Sequence, residues 1–246
     1  MRLKIFIYQL LILAFIIILW EFSSKAVPKV FLAPASVVFP LLVDIWLTNL
    51  DIYTHLYTTG FEILLSFGLA TACGLLLGFI LGTWRLLRDT YEPILSALYA
   101  VPSVVWYPLL LLFLGLDVAS KIAFAFILSF FPITLTTMQG VSNVDKVLVK
   151  AAYSMGASKL TVFYKVVLPA SLPIILSGIS TGLALCVTGV IVGEMLGGIR
   201  GLGVLIASAA TLFETAHYFV YTIIVIVIAL LVNQIGKLFE RLSWRS

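Results

Sequence analysis

An all-helical integral membrane protein with six spans is the fold class this sequence predicts, and three observations predict it. Of 246 residues, 62% are hydrophobic and only 11% are charged, against roughly 25% charged in soluble domains. The apolar residues gather into runs near the length of about 20 residues that crosses roughly 30 Å of hydrocarbon. The lysines and arginines lie in short clusters between those runs, as membrane topology places them. Such a chain cannot hide its apolar surface inside one globule, so the lipid bilayer is its solvent and its first partner.

The runs are Ile5–Trp20, Thr58–Thr83, Ile94–Leu116, Ala119–Met138, Pro173–Leu196 and Tyr218–Phe239, within a single transmembrane domain over residues 1–246. An even number of spans puts both termini on one side. That side collects eleven cations: Arg2, Lys4, Arg85, Arg88, Lys146, Lys150, Lys159, Lys165, Lys237, Arg241 and Arg245. The other has four, Lys25, Lys29, Lys121 and Arg200. The bias predicts a multi-pass protein of the cell membrane, with both termini and the loop 139–172 in the cytoplasm.

Two segments admit other readings. Met1–Lys4 followed by an apolar run also has the form of a signal peptide, with Ser24-Lys25-Ala26 as a weak cleavage site. Val37–Leu47 is apolar but interrupted by Pro40 and Asp44 and too short to span. It is expected to be an interfacial helix on the outer face with Ser36 as its N-cap.

A net charge of +4 raises nucleic acid as a partner, but the scattering of the cations argues against it. Cys73 and Cys186 lie in apolar runs without partners for redox or metal chemistry, so they read as small hydrophobes. His55 and His217 are expected in outer loops as solvated or interfacial residues, with no zinc-protease helix around them. A membrane-embedded enzyme therefore has little support.

Within the spans, Ala70, Gly74, Gly78 and Gly82 recur at four-residue intervals, as do Gly178 with Gly182 and Gly189 with Gly193 and Gly197. Such stripes let another backbone approach closely in lipid. Packing within one subunit explains them; a subunit interface or a transport path is the alternative.

The loop 139–172 is too polar to span and too apolar to be disordered. Ser142-Asn143-Val144-Asp145 has the form of a capping box. Val144, Val147, Leu148, Ala151, Ala152 and Met155 then make one apolar stripe. Gly156 is placed to end that helix, and Ser158 to cap a second one with the stripe Leu160, Phe163, Tyr164, Val167 and Leu168. Pro169 and Pro173 are expected to close the second helix and turn the chain into the membrane. By periodicity alone, these helices either lie on the bilayer or dock a cytoplasmic partner.

Lys150-Ala151-Ala152, three residues, Gly156, nine residues, then Val166-Val167-Leu168-Pro169 resembles the EAA loop of bacterial and archaeal binding-protein-dependent ABC import permeases. The family pattern has Glu where this chain has Lys150. Further phrases resemble the nitrate, sulfonate, taurine and bicarbonate branch: Phe31-Leu32-Ala33-Pro34, Tyr99-Ala100-Val101-Pro102, Tyr107-Pro108-Leu109, Gly115-Leu116-Asp117, Ser120-Lys121, Gly193-Glu194-Met195-Leu196-Gly197-Gly198 and Gly201-Leu202-Gly203. Glu62 is a second departure, near a position where such permeases often have arginine.

The resemblance implies a type I importer fold and alternating access. Two permease subunits, expected to be identical copies, would form the path. Each would seat its loop, through Lys150, Ala151, Ala152, Gly156, Ala157, Leu168 and Pro169, on one of two separate cytoplasmic ATPase subunits. A solute-binding protein would deliver the cargo outside, a small anion such as sulfonate, taurine, nitrate or bicarbonate, although related permeases also carry vitamin precursors. ATP and Mg would be bound by the ATPase and no cofactor by this chain, which has no Gly-x-x-x-x-Gly-Lys-Ser/Thr phosphate loop. The candidate path residues are Pro102, Trp106, Thr188 and Glu194. The main rival, a stand-alone secondary transporter, wants ionisable groups within its spans. Glu194 is the principal one here; it is expected either to line the path or to reach headgroup water.

Overall fold

The computed structural model describes residues 2–28, 30–116 and 118–243; Lys29 and Arg245 of the charge count and Asp117 of the quoted phrases lie outside them. Every regular element among the described residues is helical. Helix α1 (Arg2–Ala26) is exposed along most of its span, as a helix bathed in lipid can be, because its backbone groups are satisfied internally. Its C-terminal end is tied down. The Trp20 indole N–H donates to the Ala33 carbonyl at 2.9 Å, and its ring packs 5.1 Å from that of Phe219.

Helix α2 (Ala35–Thr48) is the short apolar helix expected after the first span, but its N-cap is not Ser36. Ser36 already lies inside the helix. Its amide and hydroxyl both donate to the Glu21 carboxylate at 3.0 Å, so α1 supplies the negative charge that a helix N-terminus favours. Helix α3 (Asp51–Thr83) begins seven residues before its apolar run, with the Asn49 side chain accepting the Asp51 amide at 3.0 Å.

The third expected span, Ile94–Leu116, is not one helix. Helix α4 (Arg85–Ala100) and helix α5 (Trp106–Leu114) meet at a bend of 84°, joined by the extended Val101 and Pro102 and a 3₁₀ turn at Ser103–Val105. Proline restricts the residue before it and cannot donate a helical hydrogen bond, so the helix ends there. Among the described residues there are thus five helical segments long and apolar enough to span, with this bent pair as the sixth when counted as one crossing.

Helix α6 (Val118–Ser142) is the centre of the bundle, with the small-residue stripes pressed on it from two sides. Side chains at Gly74, Gly78 and Gly82 of α3 would collide with Ile133, Thr137 and Val141. On the other side, helix α9 (Leu168–Gly197) brings Gly178 against Thr136, Gly182 against Ile133 and Gly189 against Ala125. The stripes therefore pack within one chain, exchanging side chains for close backbone contact where lipid offers no hydrophobic drive.

Between α6 and α9 lie helix α7 (Lys146–Ser154) and helix α8 (Lys159–Val162). Because α6 runs on through Ser142, the cap of α7 is Asp145, whose side chain accepts the Val147 amide at 2.8 Å; the expected capping box does not form. Nor do the prolines end the second helix. A π-turn at Phe163–Val167, in which the Leu168 amide reaches back to the Phe163 carbonyl, absorbs the missing donor of Pro169. Residues 159–197 consequently run as one 39-residue helical span. Helix α10 (Leu202–Thr211) and helix α11 (Thr215–Ser243) complete the fold, and Val38, Ile45, Ile52, Leu202, Ile206 and Val220 form a buried core among α2, α3, α10 and α11.

Candidate functional site

The loop 143–167 projects from one end of the bundle, and its turn is built by hydrogen bonds as well as by glycine. Gly156 has φ of +79°. Its amide bonds the Tyr153 carbonyl at 2.9 Å and the Ala157 amide bonds the Ala152 carbonyl at 3.1 Å. These paired bonds are the Schellman ending of a helix, which requires a left-handed residue at that point. Ser158 then caps α8, accepting the Thr161 amide at 3.3 Å.

The apolar stripe of this loop is turned away from the bundle. Val147, Leu148, Met155 and Leu160 are 68%, 51%, 88% and 71% exposed, whereas Val162 is buried and Phe163 packs 5.7 Å from the Phe79 ring. Lys150 and Ala151 are exposed beside them, while Ala152, Ala157 and Leu168 are half-buried. One side of the loop thus anchors it to α3, and the other offers large side chains to whatever meets it.

At the opposite end of α9, the glycine phrases enclose Glu194. Its side chain is buried within the chain, 1% exposed. One carboxylate oxygen accepts the Thr59 hydroxyl at 2.6 Å and the other the Gly203 amide at 2.7 Å. Thr59 in turn accepts the Leu202 amide at 2.9 Å. His55, expected in a solvated loop, is instead a buried residue of α3. Its Nε2 lies 3.4 Å from Asp51, and its Nδ1 lies 3.0 Å from the Gly201 nitrogen that donates to it. His217 is likewise helical, within 3.5 Å of Glu214. Lys121, counted among the outer cations, is 2% exposed; its ammonium pairs with Glu62 at 2.5 Å and donates to the Arg200 carbonyl at 3.1 Å.

These contacts clamp the segment 198–203 against α3 and α6. Gly201 has φ of +128°, and a Cβ there or at Gly203 would run into the Glu194 side chain. Gly201→Ala is therefore expected to cost about 3 kcal/mol, from backbone strain and overpacking together. A drop in the thermal unfolding midpoint of the detergent-solubilised chain would register it. Periodicity does not show this clamp. Its sequence signal is that Glu194, Glu62 and Lys121 are charged residues inside or at the edge of apolar runs, where each alone would be costly.

The remaining path candidates fall on another surface. Pro102 and Trp106 line a cavity of about 320 Å³ at the 84° bend, together with Tyr99, Phe131 and Leu185. Thr188 stands one turn beyond Leu185 on α9. It belongs to an exposed row of small and hydroxyl side chains, Ser177, Thr181, Ala184 and Thr188. Glu194 is not part of that surface.

The family described as binding-protein-dependent transport system inner membrane component matches residues 74–245. The chain belongs to this family. It is 30% identical over 233 residues to the formylaminopyrimidine transport permease protein ThiX of Halalkalibacterium halodurans, covering 94% of this chain and 93% of that one. It is 27% identical over 219 residues to the taurine transport system permease protein TauC of Escherichia coli, covering 87% and 80%. A chain of the inward-facing MetNI methionine ABC transporter shares the fold, with a TM-score of 0.68 at 19% identity, over 81% of this chain and 97% of that one. This chain is thus the permease subunit of an ABC importer, a multi-pass inner-membrane component of a binding-protein-dependent transport system.

Proposed function

We propose that the permease works as a homodimer with both termini in the cytoplasm, and that the loop 143–167 is the seat of the ATPase. The exposed stripe Val147, Leu148, Met155 and Leu160 carries this reading. Large apolar side chains held outward on a capped, glycine-turned helix pair are what a groove on a partner would take up. ATP and Mg are held by the two ATPase subunits, and nucleotide binding there favours one of the permease's two access states over the other. Lys150, Ala151, Ala152, Gly156, Ala157, Leu168 and Pro169 shape this seat, with Lys150 standing where the family pattern has a carboxylate. Leu148→Glu puts a charge into the docked surface and is expected to weaken ATPase co-purification about tenfold or more, a hot-spot effect. Undiminished co-purification and uptake would leave the loop as a bilayer-surface element.

The path runs where two copies face each other, along Pro102, Trp106 and the row of Ser177, Thr181 and Thr188. The Thr181 and Thr188 hydroxyls donate to the Ser177 and Ala184 carbonyls of their own helix at 3.0 and 3.1 Å, which leaves an exposed face of small side chains that a second copy can approach closely. The cargo is a small polar solute, a sulfonate such as taurine or another small anion by resemblance. A second reading, a neutral heterocycle of the kind named for the Halalkalibacterium relative, is favoured by the cavity at the bend, which is lined by Tyr99, Trp106 and Phe131 and, among the described residues, by no cationic side chain. Uptake assays on the reconstituted complex, with taurine competing against a formylaminopyrimidine, separate the two.

A further inference from the structure

Behind the docking stripe, on the bundle side of α7, lies a cavity of about 530 Å³. Its cationic lining comes from two places that are distant in sequence: Arg85 and Arg88 at the start of α4, and Lys146 and Lys159 at the start of α7 and α8. Its floor is apolar, made by Val141, Val149, Val162 and Phe163 among others. The two arginines share one carboxylate, Asp89, 3.3 Å from each Nε. Among the described residues, no carboxylate lies within ion-pair distance of Lys146 or Lys159. Among the described residues, the cavity is therefore lined by four cations and no carboxylate, with Asp89 pairing the two arginines from outside the lining.

The cavity also stands at a defined depth. It opens where α3 ends at Thr83 and α6 ends at Ser142, the same end of two spans. Trp84, 61% exposed, sits at that corner, as tryptophan does at headgroup level. A free anion would need only the cations. A ligand that also covers Val141, Val149 and Phe163 has an apolar part next to its charge, and such molecules surround the protein.

We propose that this cavity binds the phosphate headgroup of an anionic membrane phospholipid, with Lys146, Lys159, Arg85 and Arg88 around the phosphate and the lipid's glycerol and upper acyl chain on the apolar floor. Basic pockets between spans are suited to such headgroups. The lipid would bridge the α3–α4 corner to the inner face of α7, while Leu148 and Met155 on the outer face stay free for the ATPase. Membrane charge would in this way set how firmly the docking loop is held.

Native mass spectrometry of the full chain in neutral detergent tests this, with phosphatidylglycerol and phosphatidylcholine supplied at equal concentration. Phosphatidylglycerol should be retained preferentially. Lys146→Gln with Lys159→Gln should reduce its retention about 25-fold, roughly fivefold per lysine near a charged headgroup. Lys146→Arg with Lys159→Arg should preserve it, and so should Lys165→Gln, which removes an exposed lysine outside the cavity. Equal retention of the two lipids, or an equal loss from Lys165→Gln, would overturn the proposal. So would displacement of the lipid by millimolar inorganic phosphate, which would make the cavity a free-anion site. Retention of the lipid by the double glutamine variant alongside loss of the ATPase would assign the lysines to docking instead.

Discussion

Lys121→Met should destabilise the permease by about 3–5 kcal/mol, the usual consequence of removing one partner from a buried ion pair. The loss comes from the group left behind. Glu62 is fully buried on α3, and the Lys121 ammonium 2.5 Å away is its counter-charge. Methionine fills the space of the lysine stem but leaves the carboxylate facing a low-dielectric interior. Glu62→Leu combined with Lys121→Met should recover most of the loss, because it removes both charges together and replaces them with apolar volume. Recovery should be incomplete, since Lys121 also donates to the Arg200 carbonyl and so helps hold the segment 198–203. Thermal unfolding of the two variants in one detergent checks this. A single variant as stable as the parent would mean that the pair contributes nothing to the fold.

Gly156→Val is expected to leave insertion and the spans intact while abolishing the coupling of ATP hydrolysis to uptake. The left-handed φ of +79° is open to glycine, but for a β-carbon it costs about 1–2 kcal/mol. The space around Gly156 is open within the chain, so nothing in the bundle resists the side chain itself. The damage is thus confined to the turn, where the paired bonds to Ala152 and Tyr153 would yield and change the angle between α7 and α8. Lys150→Glu, which restores the family residue at an exposed position, should be mild by comparison. Co-purification of the ATPase and stimulation of its turnover by the loaded binding protein are the two readouts. Normal values of both for Gly156→Val would remove the loop from the coupling route.

Much of the permease was legible in one dimension because its physics is local. A span needs only a run of apolar residues. A helix ending needs a residue free to adopt positive φ, and Gly156 stood at the right spacing. The errors were also local, and they arose where one element ran into the next. Ser142 has the look of a cap, but α6 extends through it and leaves Asp145 to do the capping. Pro169 has the look of a stop, but a π-turn carries the helix past it. Pro102 lies inside one continuous apolar run, yet it breaks that span into two helices at 84°.

By itself the sequence determined the bilayer as solvent, the glycine stripes as close-packing faces and the helix–glycine–helix form of the loop 143–167, since each depends on residues within a few turns of one another. Only the tertiary structure decided that α6 is the helix both stripes grip. It also paired Glu62 with Lys121 and closed Thr59 and Gly203 around Glu194, across 135 residues in the case of Thr59. A buried charge announces that it must have a partner, because lipid and protein interior both penalise it alone. Which residue fills that place depends on how the helices stack, and that follows from the summed packing of whole faces rather than from any stretch of chain.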